Sequence, residues 1–570
     1  MGSRARRPAV LAASCLALAG LAAAPTTRPA DLILTGGFVY TMDATRSAAE
    51  VVAVRDGRIV YVGTPSGAEA LRGSATRVVD LSGRMVLPGF HDAHVHPVSG
   101  GMELAQCNLN GLKTKEEIFT AIRRYAESHP KDPWILGGGW DLPIFPAANP
   151  SRQELDAIVS DRPALISASD GHSTWANTKA LELARVTRET PDPPNGRIER
   201  DSAGNPSGTL RETAGGLVEK IVPEPTAAEY DEGLRRGLEM ARRFGITSLI
   251  EANAGQEILS AYGRAEKSEG GLPARILVSL SVNTSKGPEQ VAELSRRRSA
   301  FTRGHLRASA AKIFADGVIE ANTAALLEPY LDKPGDRGKA RLEPEAFARL
   351  ATALDREEFQ IHIHAIGDRA VRMSLDALEA ARRANGPRDA RPLLAHIELI
   401  DPRDIPRFRR LGVVADFQPL WAWADPYIVD LTIPKLGPER SRWIYPIGSV
   451  AAAGAVVAGG SDWSVSSMNP LDAIETAVTR RELGASGAAF LPEERISLPE
   501  ALAAYTIAGA YAAFEEKETG SIEVGKAADL IVLDRNLFEV PPEKIHEAKV
   551  LWTLLEGREI WREPSFRAGK

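Results

Sequence analysis

The sequence predicts an α/β protein: a closed (β/α)8 barrel of TIM type inserted into a small β-sandwich built from both chain ends, with an α/β subdomain inserted after the first barrel strand. Three observations carry that prediction. Short β-rich runs separated by glycine turns occur at the two ends of the chain, eight buried-strand runs alternate with helix-period stretches between them, and one connection, residues 97–223, is far too long for a βα loop.

The chain has 570 residues, of which 44% are hydrophobic and 25% charged, so it has ordinary soluble composition and enough apolar material for a large core. Its formal charge of -6 comes from 69 basic and 75 acidic residues spread along the chain, which excludes the basic footprint of a nucleic-acid binder. Residues 1–24 stand apart. Arg4, Arg6 and Arg7 precede an apolar run over 9–24 that is short for a bilayer span and has the form of a signal peptide, so the expectation is an exported protein, periplasmic or extracellular, with no stable membrane span after processing. Cys15 lies inside that segment, where a lipoprotein anchor is the alternative; its removal leaves Cys107 alone and no internal disulfide.

The N-terminal part of the sandwich is placed at 25–86, with strands at 32–35, 38–42, 51–54 and 58–62, the last following the Asp56-Gly57 turn. Its C-terminal part, 516–570, supplies strands at 528–533, 549–555 and 558–561, the last two joined through Glu556-Gly557. The barrel strands are read at 86–96, 247–253, 274–282, 309–316, 359–367, 392–400, 413–419 and 455–463, with 87–96 as barrel strand 1 and 224–515 as the remainder of the barrel. Continuous apolar strands of this kind are those of a parallel sheet covered on both faces. Within 97–223 the stretches 134–139 and 163–169 are strand-like, and 115–128 and 177–183 helical. An insertion after strand 1 emerges at the C-terminal face of the barrel, where barrel enzymes build their sites.

Ten histidines occur in the chain, and His94, His96, His364 and His396 all fall at the C-terminal ends of barrel strands. Residues two apart on a strand point to the same side, so His94 and His96 can aim into the barrel and share one ion. Lys312 and Asp462 sit at two further strand ends. His362 shares a face with His364; the position nearer the strand end favours His364 as the ligand and leaves His362 as a core histidine. Trp140, Asp141 and His172 in the inserted subdomain are candidates for lining a substrate pocket, with ordinary packing as the alternative for each.

The run Leu87-Pro88-Gly89-Phe90-His91-Asp92-Ala93-His94-Val95-His96 resembles the opening metal motif of the amidohydrolase superfamily. The stretches 138–141, 170–177, 312–317, 364–370 and 460–463 are similar to the amidohydrolase family 3 branch that includes N-substituted formamide deformylase, and 520–530 resembles the superfamily's re-entry into its sandwich. The resemblance implies a metal-dependent hydrolase of amide, N-formyl or N-acyl C–N bonds other than peptide bonds, acting on a small molecule. His94, His96, Lys312, His364, His396 and Asp462 would hold divalent metal, two zinc ions bridged by carboxylated Lys312. Asp462 would be the proton shuttle, and the nucleophile would be metal-activated hydroxide. One departure stands out: such relatives often carry Glu-His-Ala-Gln at the sixth strand, where this chain has Ala395-His396-Ile397-Glu398.

Other readings stay open on the sequence alone. Lys312 could instead be a structural cation paired with Asp316 or Glu320. The same constellation suits an esterase, lactonase or phosphoesterase, or a non-catalytic regulatory protein on a degenerate barrel. A homo-oligomer is open too. No Gly-X-Ser-X-Gly elbow or phosphate loop occurs, so serine hydrolases and nucleotide binders have no support.

Overall fold

The computed structural model describes Gly2 and residues 28–567; apart from Gly2, the expected signal segment with Cys15 lies outside the described residues. Eight parallel strands form the central barrel: β1 Phe90–Val95, β2 Ile246–Ala254, β3 Arg275–Ser281, β4 Leu306–Phe314, β5 Gln360–Ala365, β6 Leu393–His396, β7 Val414–Phe417 and β8 Val456–Gly459. They pair in that order, and each overlaps a stretch expected from the sequence. The seam between β8 and β1 is closed just beyond the strand ends, where Asp462 N donates to His94 O at 2.7 Å and His96 N donates to Trp463 O at 3.0 Å. Every residue of β1 and β5 is buried, which is why hydrophobic alternation is absent from them.

The stretch read as one strand over 86–96 is two. Met85–Pro88 belongs to the sandwich and Phe90–Val95 to the barrel, so the sandwich runs two residues further than expected. Gly89 is the pivot: a Cβ there would lie 2.2 Å from Thr247 Oγ1, and its N–H donates to Asp529 O at 2.8 Å. The sixth to eighth strands are also shorter than expected. Left-handed backbone at His396 (φ 75°), Ile397 (φ 49°) and Asp462 (φ 52°) turns the chain out of the ladder where the candidate ligands sit.

The sandwich consists of a four-stranded and a six-stranded sheet. In the larger one Leu530–Leu533 runs antiparallel to Met85–Pro88, with Ile531 opposite Leu87, so the two chain ends share one sheet. Val39, Val52, Val86, Val532 and Trp552 pack between the sheets.

After β1 the chain makes α1, Pro97–Glu103, and later α2, Lys115–Ser128, and α3, Ala227–Arg243. Reciprocal capping boxes, Thr114 with Glu117 and Thr226 with Glu229, start α2 and α3 by satisfying the free N–H groups of the first turn. α1 packs backbone to backbone on α3: a Cβ on Gly101 would fall 1.9 Å from Gly233 O, and one on Gly237 would fall 2.2 Å from Pro97 O. Residues 97–103 therefore lie in the helical layer of the barrel, and the sheet of the inserted subdomain starts at Cys107–Asn108. That six-stranded sheet includes Ile135–Trp140 and Ala164–Ala168 close to where strands were expected. Among the described residues no helix is long and apolar enough to cross a membrane.

Candidate metal centre

All six residues singled out by the sequence, His94, His96, Lys312, His364, His396 and Asp462, line one cavity of about 1340 Å³ at the C-terminal mouth of the barrel. The strand registers explain their heights. Lys312 is level with His362, while His364 lies two residues nearer the mouth, level with Phe314 and Ala395. His94 Nε2 is 3.0 Å from Lys312 Nζ and 3.6 Å from Asp462 Oδ1, and His96 Nε2 is 3.1 Å from Asp462 Oδ1. Ligand atoms of His94, His396 and Asp462 all lie within 4.8 Å of one another, a spacing at which one ion can be held. His364 stands at the edge of this group, its ring centroid 4.6 Å from that of His396.

Each inward-facing ring is oriented by an acceptor on its far side. His94 Nδ1 faces Asp416 Oδ2 at 3.1 Å, His96 Nδ1 faces Glu251 Oε1 at 3.3 Å, and His396 Nδ1 faces Gln418 Oε1 at 2.8 Å. An acceptor at Nδ1 fixes a proton there and makes Nε2 the atom that points at the centre; for His96, that Nε2 shares a further proton with Asp462. His364 is turned the other way, with Nε2 on Gly317 O at 3.2 Å, which frees its Nδ1. Asp92 anchors the seam, its Oδ1 accepting from His94 N at 3.1 Å and Ser461 N at 3.0 Å.

The electrostatics agree with the geometry. Burial pushes the Lys312 ammonium down to about 8, against the pull of Asp462, Asp416 and Glu251. Neither Asp316 nor Glu320 pairs with Lys312: Asp316 accepts from the N–H groups of Ala325, Ile366 and Gly367 at 2.9–3.0 Å, and Glu320 accepts from Thr432 Oγ1 at 3.0 Å. The pairing with Asp316 or Glu320 that the sequence left open for Lys312 is not formed. Burial opposes charge on His96 and Asp462, but their mutual contact, with Glu251 behind His96, holds the imidazole up at about 9 and the carboxyl down at about 2. Burial lowers His94, His364 and His396, the last to about 3, so these rings stay neutral, the form that ligates a metal. Neutral imidazoles, a carboxylate and a partly neutral amine around one point form a donor set that fits a divalent cation.

His362 is fully buried and off the cavity, with Ser279 Oγ at 2.9 Å from its Nδ1, in keeping with a core histidine. It also faces His94 Nδ1 at 3.0 Å and Asp416 Oδ2 at 3.5 Å. Of the three subdomain candidates, Asp141 and His172 line the cavity and Trp140 does not. Trp140 is fully buried in the subdomain core, its Nε1 donating to Ile166 O at 3.1 Å, because the pleat that turns Asp141 outward turns its neighbour inward. His172 is clamped by Glu212, whose carboxylate lies 3.0 Å from Nδ1 and also takes hydrogen bonds from Arg341 and Thr323.

Sequence reasoning missed Glu251, Asp416 and Gln418, which orient the rings, and Glu212, which holds the roof. The available signal was a buried acid or amide at the end of an apolar strand, as in Val414-Ala415-Asp416-Phe417-Gln418.

Known proteins place this architecture. The chain is 33% identical over 543 residues to Protein LONG AFTER FAR-RED 3 of Arabidopsis thaliana, covering 93% of this chain and 92% of that one. It is 29% identical over 551 residues to N-substituted formamide deformylase of Arthrobacter pascens, with 93% and 98% covered. An uncharacterised metal-dependent hydrolase from Pyrococcus horikoshii superposes with a TM-score of 0.70 at 26% identity, over 90% of this chain and 99% of that one. Residues 77–560 match the sequence profile described as "Amidohydrolase family", and the chain belongs to that family.

Proposed function

We propose that this chain is an exported metal-dependent amidohydrolase that cleaves an amide, N-formyl or N-acyl C–N bond of a small molecule. The observation that carries the reading is the convergence of His94, His96, His396 and Asp462 around Lys312 on the floor of the cavity. His94, His96 and Asp462 would hold one divalent ion once the proton shared by His96 and Asp462 is released. His364 through Nδ1 and His396 through Nε2 would hold a second, with Lys312 between them, and the nitrogen-rich set suits zinc.

Lys312 fits the bridging role because its amine is depressed toward neutrality. Nζ attacks the carbon of carbon dioxide, a proton leaves the nitrogen, and the product is a carbamate anion in place of a cation. A divalent ion held by these residues would lower the pKa of a water from about 15.7 to near 7 and would supply positive charge to polarise the carbonyl. Asp462 is kept ionised by His96, the form that takes a proton from the attacking water and passes it to the leaving nitrogen, which cannot depart as an anion. Asp141 and His172 on the inserted subdomain face the substrate from above. The name of the Arthrobacter relative, N-substituted formamide deformylase, supports the choice of bond.

The test is a hydrolysis screen with metal-reconstituted protein over N-formyl, N-acyl, cyclic amide, carbamate and ester compounds. Turnover of at least one amide class is expected; turnover of esters alone would replace this reading with an esterase.

A further inference from the structure

Asp141 precedes the short turn Leu142–Ile144, a position from which an aspartate commonly accepts the free N–H groups of the turn, yet its side chain makes no such bond. Leu142 N donates instead to Tyr427 Oη at 3.0 Å. Tyr427 Oη lies 2.8 Å from Ser169 Oγ, and Ser169 Oγ donates to Asp141 Oδ1 at 2.8 Å. Each hydroxyl has one proton to give, so the bonds run in one direction: Leu142 N to Tyr427, Tyr427 to Ser169, Ser169 to Asp141. A direct contact from Tyr427 Oη to Asp141 Oδ1 is longer, at 3.5 Å. Burial, with Asp141 and Asp170 nearby, raises the Tyr427 hydroxyl well above its ordinary value and keeps on the oxygen the proton it donates.

The relay joins parts of the chain that only the fold brings together. Asp141 and Ser169 follow the strands Ile135–Trp140 and Ala164–Ala168, parallel neighbours in the subdomain sheet, and Tyr427 opens a π-helical turn, Tyr427–Thr432, in the loop after β7. Such turns are rare and concentrate at functional sites. Tyr427 and Leu431 pack on the subdomain core, while Thr432 at the far end of the turn donates to Glu320 of the barrel. All three relay residues line the cavity of the candidate metal centre. Asp141 Oδ2 takes no part in the relay. It faces Lys113 Nζ at 3.5 Å, on a side chain 74% exposed, where water competes for the contact. A carboxylate fixed through one oxygen and open to the cavity through the other is a pre-organised acceptor.

We propose that Asp141 Oδ2 accepts a hydrogen bond from a hydroxyl or N–H group that the substrate carries away from its scissile bond, with Ser169 and Tyr427 as positioning residues that fix the carboxylate. The proposal rests on the hydrolase reading for the position of the scissile bond, at the His94–Asp462 end of the cavity. Recognition by Asp141 does not itself require turnover, which allows the two to be tested apart.

The experiment offers metal-loaded protein a series of N-(ω-hydroxyalkyl)formamides, with chains of about two to eight carbons, beside their methyl ethers, which keep the oxygen and lose the donor. At the best-matched length kcat/KM should favour the alcohol by about tenfold, with the difference carried by KM. Asp141→Ala should abolish the preference, and Ser169→Ala and Tyr427→Phe should each lower it by about threefold or more. Ser169→Thr retains a hydroxyl and should keep it. Thermal melts check that each variant is folded, and a merely structural role would alter alcohol and ether alike. The proposal is overturned by equal KM for alcohol and ether at every length, or by a preference that survives Asp141→Ala. It is also overturned if Ser169→Ala or Tyr427→Phe leaves the preference whole, or if Ser169→Thr loses it as fully as Ser169→Ala. Where no compound turns over, calorimetry with the same pairs reads the preference directly. A preference present in wild type and lost in Asp141→Ala then supports the Asp141 site and counts against the hydrolase reading, and its absence overturns the proposal. Turnover of alcohol and ether with no preference overturns the Asp141 site and leaves the hydrolase reading standing.

Discussion

His94 is held between two groups that dictate which nitrogen it offers: Asp416 Oδ2 lies 3.1 Å from Nδ1, and Lys312 Nζ lies 3.0 Å from Nε2. Asp416 is fully buried and its second oxygen has no partner. Asp416→Asn should therefore weaken metal binding by about 10–100-fold, because the amide can present a donor to Nδ1 and rotate the ring. Chelator competition measures it. Unchanged affinity would show that His94 needs no orienting carboxylate.

Asp462→Asn should lower kcat by about 10²–10⁴-fold while the protein still folds, because the amide cannot accept the proton from water or deliver it to nitrogen. Steady-state rates with circular dichroism as the folding control decide this. Near-normal turnover would move the shuttle to another group.

If Lys312 carries the proposed carbamate bridge, Lys312→Ala should reduce metal content from about two ions per chain to about one and remove most activity. Lys312 pairs with neither Asp316 nor Glu320, so the substitution strands neither of those carboxylates. Lys312→Glu returns a carboxylate on a shorter side chain and should recover part of the metal. Metal analysis of the three proteins, with density at Lys312 in crystals grown with bicarbonate and zinc, separates a carbamate bridge from a free amine beside one ion.

Glu212 is a pH-dependent clamp between the subdomain and the barrel. Burial alone would raise its carboxyl, but His172 and Arg341 hold it down to about 2. Its folded value is below its unfolded one, so its contribution is present above about pH 4.5 and is lost as pH falls toward 2. Glu212→Gln should cost about 3–5 kcal/mol at pH 7, because Arg341 and His172 lose a buried partner. The gap from wild type should close on acidification. Thermal melts of the metal-free proteins from pH 7 to pH 3 test it; a gap independent of pH would refute the clamp.

Gly460→Ala should disturb the metal centre from behind. A Cβ there would lie 2.5 Å from His94 Cβ and 2.8 Å from His94 N, and backbone cannot give way as a flexible side chain can. A loss of about 1–3 kcal/mol in stability, with weaker metal binding, is expected. A variant with both properties unchanged would mean that β8 can shift without moving His94.

The repeating chemistry of the chain was legible without coordinates. Eight apolar runs, each ending in or near a polar residue, determine a parallel barrel because strands covered on both faces must be continuously apolar, and residues at their C-terminal ends must face one mouth. The spacing of His94 and His96 determines that both can reach one ion, because a strand repeats every two residues. The pairing of residues 530–533 with the segment before Gly89 also follows from β-rich runs at both ends that have no other sheet to join.

Tertiary structure alone decided contacts between residues far apart in sequence. Asp416 is 322 residues from His94, and Thr432 lies 112 residues from Glu320. No local periodicity relates such pairs; barrel closure and the folding of the inserted loops bring them together. Trp140 and Asp141 are neighbours in sequence, yet one is core and the other faces the cavity, and a glycine-rich strand carries too little hydrophobic pattern to say which. The partner of Lys312 was decided in the same way: Asp316, only four residues away, turns its carboxylate to three backbone N–H groups. Those amides belong to the loops that follow β4 and β5, and the loops take their places only when the barrel is complete.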